Sequence, residues 1–373
     1  MKQENNTHKL THSELCDPVK LSALVKKLKQ WGKDLGFQAI GITDTDLTVA
    51  EQRFNTWIEQ QMHGDMAYMS RHGTKRTRPD ELENGTISII SARMDYFPED
   101  PEHSINLLQN SDKGYIARYS LGRDYHKVLK KRLQKLAKML EQEIGSFGYR
   151  VFTDSAPVLE KPLAEKAGIG WIGKHSNLLQ EQTGSWFFLG EIYTNLPLPA
   201  DNPSSNHCGT CSKCISACPT RAIVKPYVVD SRLCISYLTI ESRQSIPEEL
   251  RPLMGNRIYG CDDCQLFCPW NRFSQQTAES DYFARGDLAS PRLLDLFSWT
   301  EAEFLKNTEG TAIRRIGHES WLRNIAVALG NALAGQADHA DAIIHALEEK
   351  RQHPSELVRE HVSWALKQKS KSV

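Results

Sequence analysis

Long apolar runs are absent from this 373-residue sequence. No stretch of about eighteen apolar residues occurs, which excludes a membrane-spanning helix. The opening residues, MKQENNTHKLTHSEL, lack the apolar core of a secretory leader. Excess charge is also missing, because 46 basic residues balance 46 acidic ones, so no general polycationic surface for nucleic acid is expected. We therefore expect a cytoplasmic protein with no membrane partner, in which any nucleic-acid contact depends on locally segregated charge.

Four stretches of different character divide the chain. Residues 1–17 are polar and predict a flexible arm, in which Cys16 is a bystander thiol. Residues 18–200 mix amphipathic and β-branched segments, which predicts an α/β domain. Residues 201–280 hold eight of the nine cysteines, and residues 281–373 are helical with a weak repeat of about 36 residues. The expected fold is therefore a multidomain protein of the α+β class.

The stretch over 18–200 contains clear helix and strand patterns. Apolar spacing predicts a helix that begins near Leu21 and ends at Gly36, and a longer helix over 124–144 whose lysine-rich face is expected to be solvated. Apolar and β-branched composition predicts strands at FQAIGIT, TISIISARMDYF, RVFTDSA and TGSWFFLGEIYTNL.

Eight cysteines form two interlocking runs, C-x2-C-x2-C-x3-C-P and C-x2-C-x3-C-P. Along the chain they are Cys208, Cys211, Cys214 and Cys218 in the first run, Cys261, Cys264 and Cys268 in the second, and Cys234 between them. In two-cluster ferredoxins the fourth cysteine of such a run binds the other cluster. C-x2-C pairs also bind zinc, but this order of spacings favours iron and sulfide.

The sequence therefore predicts two [4Fe–4S] clusters, each held by four thiolates. The ligands predicted for one cluster are Cys208, Cys211, Cys214 and Cys268. The ligands predicted for the other are Cys218, Cys234, Cys261 and Cys264. Two adjacent clusters form an electron relay, which requires an acceptor inside or outside the chain.

Three glycines and one aspartate suggest a ligand pocket in the α/β stretch. Gly168, Gly170 and Gly173 match G-x-G-x-x-G, but a helical segment precedes them where a dinucleotide fingerprint needs a strand. We therefore reject nicotinamide binding and expect the glycines to let the backbone approach another flat or phosphate-bearing ligand. Asp154 ends a predicted strand, and it is either the N-cap of the following helix or a general acid in an apolar cofactor pocket.

Several long segments resemble the epoxyqueuosine reductase family, cobalamin-dependent enzymes of the last step of tRNA queuosine synthesis. The resemblance covers nearly the whole chain, with no departure at the cysteines or around the aspartate. The segments that carry it are GDMAYM, ARYSLGRDYH, DSAPVLEKPLAEKAGIGWIGKHSNLL, HCGTCSKCISACPTRAI, RLCISYLTIE, IYGCDDCQLFCPWN and TAIRRIGHESWLRNIAVALGNAL.

The resemblance implies a cobalamin bound by the α/β domain over 18–200, with a fold similar to that of reductive dehalogenases. It implies a ferredoxin-like module over 201–280 and a HEAT-like module over 281–373 that helps to bind tRNA. It also implies that Asp154 donates a proton while an epoxide in the anticodon loop is reduced to an alkene. This reduction consumes two electrons and two protons and releases water, and a positioned acid lowers its barrier.

The remaining site residues are candidates chosen by residue type and position. The candidates for cofactor binding are Arg78, Tyr119, Lys174, His175 and Asn177. The candidates for binding tRNA phosphates are Lys225, Arg314, Arg315 and Arg323. We expect a monomer that takes electrons from an external donor. Two alternatives remain: a reductive dehalogenase-like corrinoid enzyme that acts on a small molecule, and a non-catalytic ferredoxin-type electron carrier.

Overall fold

The computed structural model describes residues 17–97, 101–337 and 339–371. The expected arm over 1–17 lies outside these residues except for Asp17, whose carboxylate accepts from the backbone N–H of Val19 at 2.9 Å and caps the first helix. In this described part, no helix has both the length and the apolar character needed to cross a membrane.

Helices and strands alternate in the first part of the chain, and helices dominate the last part. The helices are α1 (Pro18–Asp34), α2 (Thr48–Glu59), α3 (Pro79–Leu82), α4 (Pro101–Leu108), α5 (Tyr125–Ile144), α6 (Glu160–Lys166), α7 (Lys213–Ala217), α8 (Arg251–Met254), α9 (Asp263–Leu266), α10 (Leu293–Ser298), α11 (Glu301–Asn307), α12 (Gly317–Ala334), α13 (Ala340–Glu349) and α14 (Glu356–Lys367). The strands are β1 (Ala39–Thr43), β2 (Ser88–Asp95), β3 (Tyr115–Ile116), β4 (Tyr149–Phe152), β5 (Trp171–Ile172), β6 (Leu178–Leu179), β7 (Phe187–Thr194), β8 (Ile223–Lys225), β9 (Val228–Val229) and β10 (Arg257–Tyr259).

The described chain forms two compact units. The first contains residues up to 60 together with 68–96 and 125–210, and the second contains 61–67, 97–124 and 211–373. Two segments of the range 18–200, which the sequence suggested as one domain, therefore belong to the second unit. Non-local contacts cause this: β3 lies parallel to β10, and the N–H of Asp65 donates to the Tyr237 hydroxyl at 2.8 Å.

The first unit is built on an antiparallel sheet of four strands in the order β1-β2-β7-β4. Gly190 of β7 faces α5, because Leu133 occupies the space beside its Cα. Leu189, the preceding residue, packs with Ala164 of α6. Since neighbouring residues of a strand point to opposite faces, α5 and α6 cover opposite faces of the sheet.

The predicted elements of this unit are confirmed. The α5 helix buries its apolar stripe, including Leu129, Leu133 and Leu136, while Lys130 and Lys131 are exposed, as expected of an amphipathic surface helix. The predicted strands appear as β1, β2, β4 and β7, and β7 is buried along its whole length.

The second unit has one continuous hydrophobic core. Ile240 and Ile258, from the cysteine-rich stretch, pack in the same cluster as Trp321, Ile325 and residues of α14. The described part of 281–373 contains helices and no strand, as predicted. Residues 201–210 belong to the first unit, whereas 211–280 and 281–373 do not separate into two compact units, because the same core crosses the expected boundary near residue 280.

Candidate active site

Asp154 lies just beyond the end of β4 in a left-handed backbone conformation, with φ of +50°. The Tyr125 hydroxyl donates to its Oδ2 at 2.6 Å, and His126 Nε2 lies 3.1 Å from the same oxygen. The interpretation of Asp154 as a helix N-cap is wrong, because α6 begins at Glu160 after Leu159 and has no side-chain cap. The Asp154 carboxyl therefore does not cap α6, and its side chain is 46% exposed.

Aromatic stacking fixes the two partners of Asp154. Tyr125 and His126 open α5, and their rings stack at 4.1 Å. The Tyr125 ring also stacks on Phe188 of β7 at 4.1 Å with an interplanar angle of 3°. Two hydrogen-bonding groups are therefore held by the rigid sheet and aimed at one carboxyl oxygen, as a positioned proton donor requires.

A buried arginine lies close to this carboxyl. Arg76 is 7% exposed, donates to the carbonyl of Tyr68 at 3.0 Å and lies over the ring of Phe54. Burial lowers its pKa, while the charges of Tyr68 and Asp154 raise it. Arg76 therefore supplies positive charge near Asp154.

The sequence-based candidate Arg78 is in a different environment from Arg76. Its guanidinium pairs with Glu51 and Glu81, each at 3.2 Å, and its side chain is 51% exposed. The loop contains Lys75, Arg76 and Arg78 in close succession, and composition alone does not distinguish the buried member.

Two further carboxyls lie within electrostatic reach of Asp154. Burial, reinforced by the Asp154 charge, raises the pKa of Glu160 to about 8, while Lys161 and His126 act in the opposite direction. Burial raises the pKa of Glu191 well above its usual range, and Glu160 and Asp154 raise it further. The site therefore contains an acidic cluster that the sequence analysis missed, because Glu160 and Glu191 lie in an apparently ordinary helix and strand.

A tight hairpin presents the candidate cofactor residues His175 and Asn177. It joins β5 to β6, and its loop is closed by the N–H of Gly173, which donates to the carbonyl of Asn177 at 2.8 Å. The N–H of Asn177 donates to His175 Nδ1 at 3.1 Å, which assigns the ring proton to Nε2. Lys161 reaches the same loop and donates to Asn177 Oδ1 at 3.3 Å.

His175 is a buried donor. The residue is 4% exposed, and Nε2 has no hydrogen-bond partner among the described residues. Burial lowers its pKa to about 4, with a further contribution from Lys161. The imidazole is therefore neutral near pH 7 and offers an N–H to a ligand that carries amide or phosphate oxygens.

The same hairpin contacts the start of the first cysteine run. Lys174 Nζ donates to the carbonyl of Gly209 at 2.7 Å, and the ring of Trp171 packs edge-on against His207 at 4.9 Å. These contacts hold Cys208 near the loop that presents His175. A metal centre bound to Cys208 would therefore lie close to this loop.

The glycines of the G-x-G-x-x-G match have a structural role. A Cβ on Gly168 would lie 2.6 Å from the carbonyl oxygen of Asn202, and one on Gly170 would lie 2.1 Å from that of Leu179. A Cβ on Gly173 would collide with the Leu179 side chain. The expected close approach of a ligand is thus replaced by close approach of the chain to itself.

Four cysteines of the second unit form a mutually interacting set. Burial raises the pKa of the Cys264 thiol, and the neighbouring Cys234 and Cys218 raise it further. The pKa of Cys261 is raised by burial, and Cys234 contributes here too. The set coincides with the ligands proposed for the second cluster. The α7 helix, which contains Cys214, packs against α9 and brings the two runs together.

The remaining cysteines are the ligands proposed for the other cluster. Cys208 is half-buried in the first unit, and Cys211 is exposed in the second. Cys214 and Cys268, also in the second unit, are buried. Cys16 lies outside the described residues.

Four other candidates belong to the second unit. Tyr119 belongs to the second unit, where its hydroxyl lies 3.4 Å from that of Tyr259. Lys225 and Arg314 are exposed on the second unit. Arg315 is also exposed there and forms an ion pair with Glu241.

Arg323 was selected from the sequence as a phosphate-binding residue, and this assignment is wrong. Its side chain is fully buried in α12. The guanidinium donates to the backbone carbonyls of Leu238, Ser242 and Gln244 at 2.6 to 2.9 Å and to Asn324 Oδ1. A fully buried cation with these partners stabilises the fold and is inaccessible to a phosphate.

Two families of known proteins match successive parts of the chain. The family described as epoxyqueuosine reductase QueG, DUF1730, matches residues 76–155, which include Asp154. The family described as 4Fe-4S double cluster binding domain matches residues 207–271, which include all eight clustered cysteines.

Full-length relatives and solved structures agree with these matches. The epoxyqueuosine reductase of Escherichia coli strain K12 is 55% identical, with 95% of this chain and 92% of the relative covered. A crystal structure of epoxyqueuosine reductase with an epoxyqueuosine-modified tRNA-Tyr stem loop has a TM-score of 0.77 at 25% identity, covering 94% and 100% of the two chains.

A third comparison concerns a catalytic loop. The epoxyqueuosine reductase of Bacillus subtilis, solved with a catalytic loop named for an aspartate swung out of the active site, has a TM-score of 0.78 at 26% identity, covering 93% of this chain and 99% of that one. The agreement in sequence extends over nearly the whole chain. We conclude that this chain belongs to the epoxyqueuosine reductase family.

Proposed function

We infer that this protein reduces epoxyqueuosine to queuosine in the anticodon loop of tRNA. The observation that carries the inference is the placement of Asp154, held by Tyr125 and His126, in a chain 55% identical to an epoxyqueuosine reductase. A relative crystallised with a modified tRNA stem loop supports the substrate class. Family membership favours this reductase over the small-molecule dehalogenase and the electron carrier.

Asp154 is proposed to be the general acid. An epoxide oxygen leaves carbon far more easily once it is protonated, and a positioned acid contributes roughly 10²- to 10⁴-fold in rate. Tyr125 and His126 orient the carboxyl through its Oδ2. The catalytic aspartate loop named for the Bacillus subtilis structure supports this role. The left-handed backbone at Asp154 is the kind of strained conformation that occurs at active sites.

The residues around the hairpin loop fit cobalamin, whose rim carries amide groups. His175 offers a buried N–H without a partner in the described structure, and Asn177 and Lys161 lie beside it. These three side chains would hold the cofactor. When bound, cobalamin supplies a low-valent cobalt that reduces the epoxide carbon.

The eight cysteines are proposed to hold two [4Fe–4S] clusters, in the two sets predicted from their spacing. The double-cluster family match and the mutual influence of Cys234 and Cys264 support this assignment. When bound, the clusters would supply single electrons, and the contacts of the segment around Cys208 with the proposed cofactor loop support this role.

The substrate is proposed to be held by basic residues of the second unit. Lys225, Arg314 and Arg315 are exposed there, where they can neutralise phosphates. The helices from α10 to α14 are proposed to form a HEAT-like surface for the stem loop. We also propose a cytoplasmic monomer supplied by an external electron donor, since thiolate-bound clusters and tRNA both suit a reducing cytosol.

Anaerobic reconstitution tests this function. The protein would be loaded with iron, sulfide and cobalamin, reduced chemically, and mixed with a stem loop that contains epoxyqueuosine. We expect about eight irons per chain for two cubanes, a corrin absorption band, and queuosine in the nucleoside digest by mass spectrometry. Bound zinc without iron, or unchanged epoxyqueuosine with both cofactors loaded, would contradict the proposal.

A further inference from the structure

Glu191 occupies an unusual position for a carboxyl group. It lies within β7, an inner strand of the four-stranded sheet, and is fully buried. Neither of its carboxyl oxygens has a hydrogen-bond partner among the described residues, and the buried hydroxyl of Ser91, directly opposite on β2, also has none. An unpaired carboxylate is strongly disfavoured at a fully buried position, so the group is held in its neutral, protonated form.

Glu191, Glu160 and Asp154 lie on neighbouring elements of the first unit. Glu191 is directly opposite Phe152 on β4, and Asp154 follows Phe152 by two residues. Glu191 shares a sheet face with Leu189, which packs against α6. The first residue of α6 is Glu160, which is half-buried. The Glu160 charge raises the pKa of Glu191, and the Asp154 charge raises the pKa of both glutamates.

We propose that Glu160 and Glu191 form a protonated carboxyl pair that delivers one proton to Asp154 during turnover. The proposal rests on the role of Asp154 as general acid. Both glutamates act through Asp154, so they are positioning residues and do not touch the substrate.

The proton balance of the reaction explains why such a store is useful. Reduction of an epoxide to an alkene takes up two electrons, supplied by the reductant, and two protons. Asp154 gives the first proton to the epoxide oxygen as the first carbon–oxygen bond breaks, and becomes a carboxylate. The carboxyl pair returns one proton to Asp154. Asp154 gives it to the oxygen as the second bond breaks and water leaves, and solvent then returns one proton to Asp154 and one to the carboxyl pair.

The charged surroundings set the pH range in which the pair retains its proton. Lys161 and His126 favour ionisation of Glu160, whereas burial and the Asp154 charge oppose it. On the strands, Tyr193 of β7 has a raised pKa, and Arg93 of β2 pairs with Asp95. Because the pKa of Glu160 is raised to about 8, Glu160 keeps its proton at neutral pH and loses it as the pH rises through about 8.

The test compares Glu191→Gln with wild type in the reconstituted holoenzyme. The amide keeps the shape of the side chain but supplies no proton. We expect kcat to fall at least about tenfold, with an unchanged KM for the stem loop. The alkaline limb of the kcat profile near pH 8 should disappear in Glu160→Gln, which removes the group that titrates there. Glu191→Asp should recover part of kcat.

An infrared measurement reports on the pair independently of turnover. Wild type at pH 7 should show the carbonyl stretch of protonated buried carboxylic acids, and the band should be weaker in Glu191→Gln, which retains only Glu160. Glu143→Gln is the matched control, because Glu143 pairs with Lys27 on the surface of the same unit, and it should behave like wild type. If Glu191→Gln does not fold, Glu160→Gln provides the same comparison of kcat and pH profile.

The outcomes separate this inference from the proposed function. A wild-type spectrum at pH 7 without the protonated-acid band would overturn the carboxyl pair even if the enzyme reduces its substrate. Unchanged kcat in both glutamine variants, or an unchanged alkaline limb in Glu160→Gln, would overturn it as well. Presence of the band in a protein that never reduces epoxyqueuosine would instead contradict the role assigned to Asp154.

Discussion

Asp154 combines features that distinguish it from an ordinary loop carboxyl. Its backbone adopts the left-handed region, which costs a residue other than glycine roughly 1 kcal/mol or more. Tyr125 and His126 converge on one of its oxygens. The sequence identified Asp154 as a candidate acid but not the buried Glu191, because a single glutamate in an apolar strand has no distinctive pattern.

His175 makes a testable contribution to the acid sensitivity of the fold. Its pKa is about 4 in the folded protein and about 6.5 when unfolded. Between these two values the unfolded state therefore binds more protons than the folded state. The contribution of His175 to the free energy of unfolding is complete above about pH 6.5 and is lost as the pH falls toward 4. The maximum loss from this group is about 3 kcal/mol.

Urea unfolding at pH 7 and pH 5 measures this contribution. The decrease in the free energy of unfolding between the two pH values should be smaller for His175→Asn than for wild type. His345→Asn is the control, because His345 is exposed on α13, and its decrease should match wild type. Equal decreases in wild type and His175→Asn would contradict the neutral, buried state of His175.

At the scale of elements, the sequence predicted helices and strands with a local apolar pattern, but it did not predict pairings between distant segments. The α5 helix was predictable because its apolar residues recur with helical spacing. The parallel pairing of β3 with β10 joins segments more than a hundred residues apart, and two-residue strands such as β3 lack a readable alternation. The β5–β6 hairpin was hidden for the same reason, although His175 and Asn177 within it were recognised by type.

Two arginines, one within α12 and one just before it, lie in contrasting environments. Replacing the buried Arg323 by alanine removes four hydrogen-bond partners and leaves their oxygens unsatisfied, so we expect a loss of about 3–5 kcal/mol in stability. Arg314 is exposed before α12, and Arg314→Ala should leave stability within about 0.5 kcal/mol.

Of the two residues, only Arg314 is expected to contact tRNA phosphates directly. Arg314→Ala should reduce the slope of log affinity against log salt by about one unit, because one phosphate contact is lost. Denaturant melts and salt titrations of stem-loop binding check both expectations. A stable Arg323→Ala protein, or an Arg314→Ala protein with an unchanged salt slope, would contradict the assignments.

At the scale of the whole molecule, the cysteine-rich stretch and the helical tail depend on one another. Ile240 and Ile258 share a core with Trp321 and Ile325. A chain ending before residue 284 would therefore expose the core surface beside the cysteines. The sequence located the change in composition near residue 280 but could not show that the core continues across it, because composition does not report which apolar surfaces meet.

Truncation tests this dependence. A protein ending at residue 283 should fail to retain its iron during anaerobic reconstitution, whereas full-length Arg314→Ala should retain wild-type iron. Iron and sulfide determination, with circular dichroism for folding, provides the measurement. A truncated protein with full cluster content would show that the tail is a separate module.

The central claim is that Asp154 donates the proton that allows the epoxide to be reduced. Single-turnover conversion of an epoxyqueuosine stem loop by fully reconstituted Asp154→Asn, compared with wild type, tests it most directly. The account predicts a rate lower by roughly 10²- to 10⁴-fold, with the same stem-loop affinity and the same iron and cobalt content. A variant that converts the stem loop at the wild-type rate would contradict it.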